Sequence, residues 1–203
     1  MRKMNALLWI FVLFPSIIWA QEKVEAPVWD IGDKWVLTQG SIEVVGSDQN
    51  NYTLNFSKDT CRVENKGLVV FNKSNLNRIY VVRETKREKY PGIQRRILNF
   101  PLNLGKEWND TGTVTPSSGP MKGATMNYFE AFKVLGWEEV KVQGGNFKSL
   151  KLEYAIDNRT TKTSGKSIYW YSPEAKYFVK CQYDKNYFLN VTDWELTSFQ
   201  LKK

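Results

Sequence analysis

"EEVKVQGGNFKSLKLEYAI", residues 138–156, decides the fold class. Val140 and Val142 alternate with charged residues before a glycine pair; Leu150, Leu152, Tyr154 and Ile156 alternate with Lys151, Glu153 and Asp157 after it. A period of two marks a half-buried strand. Two such runs around Gly144-Gly145 predict an antiparallel hairpin with one apolar face, anchored by Phe147 just past the turn.

The same signals recur along the chain. Strands are predicted near 34–45, 52–57, 60–65, 67–72, 78–84, 94–99, 127–135, 137–143, 147–157, 166–172, 176–183 and 192–200. "SPEA" joins "SIYWY" to "KYFVKC", with Pro173 at the second turn position, where its fixed φ suits a type I turn. In "YFEAFKVLGWEEV", Phe129, Phe132 and Leu135 approach helical spacing, but the aromatic and β-branched content and Gly136 favour strand. The expected fold is all-β: a curved antiparallel sheet closing into a barrel-like or sandwich domain, because a long flat sheet leaves exposed edges.

The first twenty residues carry Arg2 and Lys3, an apolar run from about Ala6 to Phe14, and Ala20 where a signal peptidase would cut. This is the pattern of a cleaved signal peptide (1–20), and the run is short for a membrane span. With no cysteine near the cut, a lipoprotein is not expected. Residues 21–203 are expected to form a single β domain, exported to the periplasm or beyond, with no other stretch apolar enough to cross a bilayer. Removing Arg2 and Lys3 lowers the formal net charge from +8 to +6, a balance that serves solubility or an anionic surface.

Cys61 and Cys181 are the only cysteines. In an oxidising compartment they read as a disulfide closing a loop of about 120 residues, which chain entropy values at roughly 4–5 kcal/mol. The other reading is two buried thiols, since each lies in an apolar-patterned segment.

The chain has no histidine, which excludes Ser-His and Cys-His nucleophiles and nearly all catalytic zinc sites. It also lacks a dinucleotide fingerprint, a phosphate-binding glycine loop and an acidic calcium loop, so no metal and no cofactor is expected. Carboxylate chemistry remains, with Asp30, Asp33, Glu138 and Glu139 as candidates, but surface carboxylates are general and no catalytic residue is assigned.

Aromatic residues are the richer signal. Trp29, Trp35, Trp108, Trp137, Trp170 and Trp194 follow the cleavage site. In "IYWY", Tyr169 and Tyr171 share one strand face and Trp170 takes the other. Trp137, Phe147, Tyr169, Trp170 and Tyr171 either line a cavity for a lipidic or sugar ligand or fill the core. "RETKREKYPGIQRR", residues 83–96, is either a basic rim meeting anionic surfaces through Arg87, Arg95 and Arg96 or a solvated hairpin tip turned at Pro91-Gly92. Export and the lack of a reader motif argue against nucleic acid. "NDTGTVTPSSGPMKGATMN", residues 109–127, is either a long functional loop or a short edge hairpin.

Four stretches in order resemble a family. "VWDIGDKWVL" (28–37), "FPLNLGKEW" (100–108), the hairpin "EEVKVQGGNFKSLKLE" (138–153) and "YWYSPEAKYFVK" (169–180) are together similar to bacterial secreted β-rich proteins classed as a domain of unknown function of the periplasm or outer membrane. The resemblance implies a curved antiparallel sheet and a non-enzymatic envelope role, and it supplies no catalytic residue. It also implies that the six Asn-x-Ser/Thr sequons carry no glycans. The expected function is therefore a non-enzymatic exported binding protein holding a lipidic or amphipathic envelope molecule in the concave face of the sheet. The alternative is an accessory partner of an envelope protein, joined through an exposed strand edge or the 109–127 loop.

Overall fold

The computed structural model describes residues 23–57, 67–83, 86–89, 95–115, 121–186 and 192–202. Among them there is no helix, and twelve antiparallel strands form one sheet. The first half is a meander: β1 (Lys34–Leu37), β2 (Gly40–Ser47), β3 (Asn51–Phe56), β4 (Gly67–Asn72), β5 (Arg78–Arg83) and β6 (Lys86–Lys89). The second half runs through β7 (Glu107–Val114), β8 (Met126–Val142), β9 (Gly145–Asn158), β10 (Thr163–Ser172), β11 (Tyr177–Tyr183) and β12 (Trp194–Gln200). β12 pairs with β1, so the spatial order is β6-β5-β4-β3-β2-β1-β12-β11-β10-β9-β8-β7.

This arrangement corrects several boundaries. The run 34–45 is two strands, because Gly40 at φ 153° lets the chain reverse after Leu37. The runs 127–135 and 137–143 are one strand, β8, with a bulge at Leu135 where the register to β9 shifts between Val134 and Gly136. Residues 95–99 are not a strand, and 60–65 lie outside the described residues. Of residues 109–127, the edge-hairpin alternative holds for Asn109–Val114 and Met126–Asn127, which belong to the β7–β8 hairpin paired from Glu107↔Lys133 to Val114↔Met126.

The expected closure does not occur through strand pairing: β6 and β7 stand at opposite ends of the sheet. The chain from Arg95 to Leu102 lies between the two halves instead. The Arg78 amide donates to the Arg95 carbonyl (3.0 Å) and the Trp108 indole N–H to the Arg96 carbonyl (2.7 Å). Val24 and Leu102 exchange backbone hydrogen bonds of 2.8 Å, and Ile97, Leu98 and Leu102 are buried. The Lys106 ammonium donates to the carbonyls of Asn99 and Pro101, holding the segment that contains the cis Phe100-Pro101 bond.

The motifs that open and close the sheet lock onto one another. Gly32 takes φ +93°, and the fully buried Asp33 carboxylate accepts the Asp30 amide (3.0 Å) and the Lys202 amide (2.7 Å), tying the entry of β1 to the end of the chain. The indoles of Trp29 and Trp35 donate to the carbonyls of Lys176 and Ala175, in the turn between β10 and β11. A single hydrophobic cluster then joins both halves of the sheet.

The opening hairpin departs from its expected form. Val142 pairs with Gly145, so the turn residues are Gln143-Gly144 rather than Gly144-Gly145. It also does not present one apolar face. Leu150, Leu152, Tyr154 and Ile156 bury one side of β9, while Phe147 and Ser149 bury the other, and Val140 lies opposite Phe147. The switch falls beside the Leu135 bulge. Past it the hairpin turns its other face inward: Phe147 meets Phe199 at 5.7 Å, and the Gly144 amide donates to the Leu196 carbonyl at 2.8 Å. Leu196 lies just beyond the two pairs, Lys180↔Glu195 and Cys181↔Trp194, that join β11 to β12.

Candidate functional site

The aromatic residues singled out from sequence are used in packing. Tyr169 is buried among the rings of Tyr154, Phe178, Tyr183 and Trp194, with centroids 5.2–6.4 Å away. Tyr171 packs against Phe100 (5.5 Å) and Phe178 (5.9 Å), and burial raises its hydroxyl pKa well above the usual phenol range. Phe147 is buried at the hairpin tip, and half-buried Trp137 carries the Lys148 ammonium 4.6 Å above its ring.

Trp170 faces the other side of β10, as alternation requires. Its indole N–H donates to Glu138 Oε2 (3.0 Å), and the ammonium groups of Lys151 and Lys180 lie 5.4 and 5.2 Å from the ring. The Trp170 hydrogen bond, then that of Lys151, holds the Glu138 carboxyl below the usual carboxylate range. Glu139 pairs across the hairpin with Lys148, and Asp33 is committed to two backbone amides. These carboxylates do not converge on one cleft.

The three arginines do not form one rim. Arg87 is exposed on β6 and stacks over Tyr80 at 4.2 Å; Arg95 pairs with Asp110 on β7 at 3.1 Å, and Arg96 offers its carbonyl to Trp108. Cys181 is fully buried on β11; Cys61 lies outside the described residues, as do Pro91 and Gly92, so the pairing and the turn are not placed. Among the described residues no three His, Cys, Asp or Glu side chains form a group suited to a metal ion.

Sequence reasoning missed the buried Glu130. It lies on β8 in the interior and accepts a 2.5 Å hydrogen bond from the Tyr154 hydroxyl. The signal was available in "YFEAF", where Glu130 shares strand parity with Tyr128 and Phe132.

Two features lie outside the packed interior. A depression of about 270 Å³ opens on the outer face of β7, β8 and β9. Small residues make its floor, Ala131 and Ala155, between Phe129 and a charged side of Glu107, Lys133 and Glu153. Lys133 bridges to Glu107 (2.7 Å) and Lys166 to Glu153 (2.9 Å), which leaves the charges balanced; the Glu107 hydrogen bond and charge raise the Lys133 pKa.

The second feature is the outer edge of β7. The Val134 amide donates to the Lys106 carbonyl, so even-numbered residues of this segment bond toward β8 and odd-numbered ones turn their backbone groups outward. The Thr111 amide agrees with this, donating to the neighbouring Asp110 carboxylate at 3.0 Å. Toward the other end, Arg95 meets the Asp110 carboxylate and the Arg96 carbonyl accepts the Trp108 indole N–H. Among the described residues no strand pairs with the outer edge from Thr111 to Val114. The two sheet edges differ sharply. β6 is four exposed charged residues, Lys86, Arg87, Glu88 and Lys89, whereas β7 is eight residues long and reads "NDTGTV" after Trp108. Charged edges resist strand addition; the neutral stretch Thr111–Val114 lacks that protection.

No family model matches the chain, and no curated protein does. Among solved structures, similar ones include the hypothetical lipoprotein YmcC of Escherichia coli K12, with TM-score 0.49 and 10% identity over 90% of this chain and 92% of that one. A candidate lipoprotein of Parabacteroides distasonis ATCC 8503 gives TM-score 0.46 and 17% identity over 89% and 100%. A candidate exported protein with a YmcC-like fold from Bacteroides fragilis NCTC 9343 gives 0.42 and 12% over 88% and 99%. The likeness is weak in sequence and in chain path, and no property passes from these proteins to this chain.

Proposed function

We propose that this chain is an exported, non-enzymatic protein of the bacterial envelope that acts by accepting an extended strand of a partner on the edge of β7. The observation that carries the reading is the contrast between the two sheet edges: all four residues of β6 are charged and exposed, whereas the last four of β7, Thr111 to Val114, carry no charge. The outer-face depression supports it, because its rim residues Glu107 and Asn109 belong to β7 and its floor is apolar. A strand added to this edge would place alternate side chains next to that opening. The sequence supports the absence of catalysis through its lack of histidine and its scattered carboxylates. The signal-peptide pattern of residues 1–20 supports export. The carrier reading draws no comparable support, since the rings expected to line its cavity pack against one another.

The test is site-specific photo-crosslinking in the native envelope, with the probe at Thr113 on β7 or at Lys86 on β6. Adducts confined to Thr113 and lost on Thr111→Pro are expected. That proline removes an outward amide and leaves the ladder to β8 intact. Equal labelling at both edges, or none at Thr113, would overturn the reading.

A further inference from the structure

We infer that one occupant of the β7 edge is a second copy of this chain, paired antiparallel to the first about a two-fold axis through Gly112. The inference rests on the strand-addition reading and names its partner.

Three properties of the edge make it self-complementary. First, the outward backbone groups belong to odd-numbered residues, with the Thr111 amide turned away from β8 toward Asp110. In a register centred on Gly112, Thr111 of one copy meets Thr113 of the other, and Asn109 meets Thr115. Every facing pair that must exchange hydrogen bonds is then an odd–odd pair, so donors meet acceptors along the contact. Second, no like charges oppose. Asp110 falls across from Val114, and its carboxylate is already matched by Arg95 within its own chain. The same operation on β6 would set Lys86 against Lys89. Third, the central pairs on the outer face, Thr111 with Thr113, are threonine on threonine, a favourable cross-strand combination. The centre is glycine on glycine, where no side chain keeps the backbones apart. Isologous contacts of this kind close into a dimer rather than a filament, so a self-complementary edge is used once and buried.

The register makes the inference specific. Gly112 faces Gly112 as a non-hydrogen-bonded pair, with Cα atoms roughly 4.5 Å apart, inside the range a disulfide spans. The experiment uses the full exported chain with its native cysteines in place. Gly112→Cys is compared with Thr113→Cys under mild oxidation, and the linked peptides are mapped by mass spectrometry. Sedimentation of the unmodified chain and of Thr111→Pro runs alongside. The expected result is a concentration-dependent dimer, at least tenfold weaker in Thr111→Pro, and a 112–112 linkage that far exceeds any 113–113 linkage. A chain that stays monomeric at its highest soluble concentration, or a Gly112→Cys variant that gives no 112–112 linkage, overturns the second-copy inference. A dimer indifferent to Thr111→Pro overturns it as well, by placing the contact elsewhere. Photo-crosslinking at Thr113 separates this from the parent reading. Adducts of another protein on a monomeric chain keep strand addition and discard self-pairing; no adduct of any mass discards both.

Discussion

The hairpin tip rests on one glycine, and Gly144→Ala tests that dependence. A Cβ added at Gly144 would lie 3.0 Å from the Leu196 carbonyl oxygen, 3.2 Å from Leu196 Cγ and 3.3 Å from the Leu196 carbonyl carbon. Two of these atoms are backbone of a paired strand and have little freedom to yield. The backbone of Gly144 is outside the left-handed region, so the cost is steric and not conformational. Overpacking of this kind costs about 1–3 kcal/mol, and lifting the tip also breaks the Gly144 amide bond to Leu196, worth about 1 kcal/mol. The sum is about 2–4 kcal/mol. With a urea slope of about 2 kcal/mol/M, the unfolding midpoint should fall by about 1–2 M. Gly123→Ala is the control: Gly123 has φ +77° with nothing within 4 Å, so only its conformational cost of about 1 kcal/mol is expected. Hydrogen exchange should show lost protection confined to Val140–Ser149 and the facing residues of β12. A Gly144→Ala midpoint no lower than that of Gly123→Ala, with tip amides still protected, would refute the packing argument.

Other outcomes follow from single contacts. Tyr154→Phe removes a donor from the buried Glu130 carboxylate and should cost about 1.5–3 kcal/mol in urea unfolding, whereas a loss under about 0.5 kcal/mol would mean the bond is immaterial. Asp33→Ala strands the amides of Asp30 and Lys202 and should lower stability by about 2–3 kcal/mol, read from thermal melts, with Asp33→Asn losing less. The Glu138 pKa is lowered in the folded chain, so its contribution is present above its usual 4.5 and is lost as pH falls through the lower folded value. Acid titration followed by Trp170 fluorescence should show that step, and Glu138→Gln should abolish it. The Tyr171 pKa is raised, so its contribution holds below the usual 10.0 and declines as pH rises beyond that; Tyr171→Phe should flatten the alkaline limb of a stability profile.

The sheet was legible because most of its strands bury one face, and alternation survives whatever lies across from it. Ile42 and Val44, Tyr52 to Phe56 and Leu150 to Ile156 announce themselves this way. The two edge strands did not. In β6 every residue is exposed, and in β7 only Trp108 is buried, so neither carries the apolar alternation that betrays a strand. The features that make an edge available to a partner are the ones that hide it from a reading based on burial. Closure was illegible for another reason. The run 94–99 looks strand-like because Ile97 and Leu98 are apolar, but these, with Leu102, are apolar to fill the space between the sheet halves. The face switch in the hairpin was legible and overlooked: Phe147 is odd-numbered while Leu150 to Ile156 are even, and a strand cannot bury both parities on one side.

That parity break bears on which parts of the sheet stay exposed. The β8–β9 hairpin is the longest in the sheet, and if it stayed regular its tip would project past β10 with an apolar face exposed. The Leu135 bulge and the switch between Ser149 and Leu150 let the tip bury Val140, Val142 and Phe147 and meet β12 through Gly144. At that end the molecule satisfies its own apolar surface. At the Arg95–Leu102 segment it satisfies the gap between its halves, and at β6 it protects its edge with charge. Among the described residues, the neutral stretch of β7 shows no such device. A protein selected only to fold as a monomer would gain by placing one lysine there, as β6 places two. Thr113→Lys, which gives this edge the kind of charge β6 carries, should leave unfolding free energy within about 0.5 kcal/mol while weakening the proposed strand association.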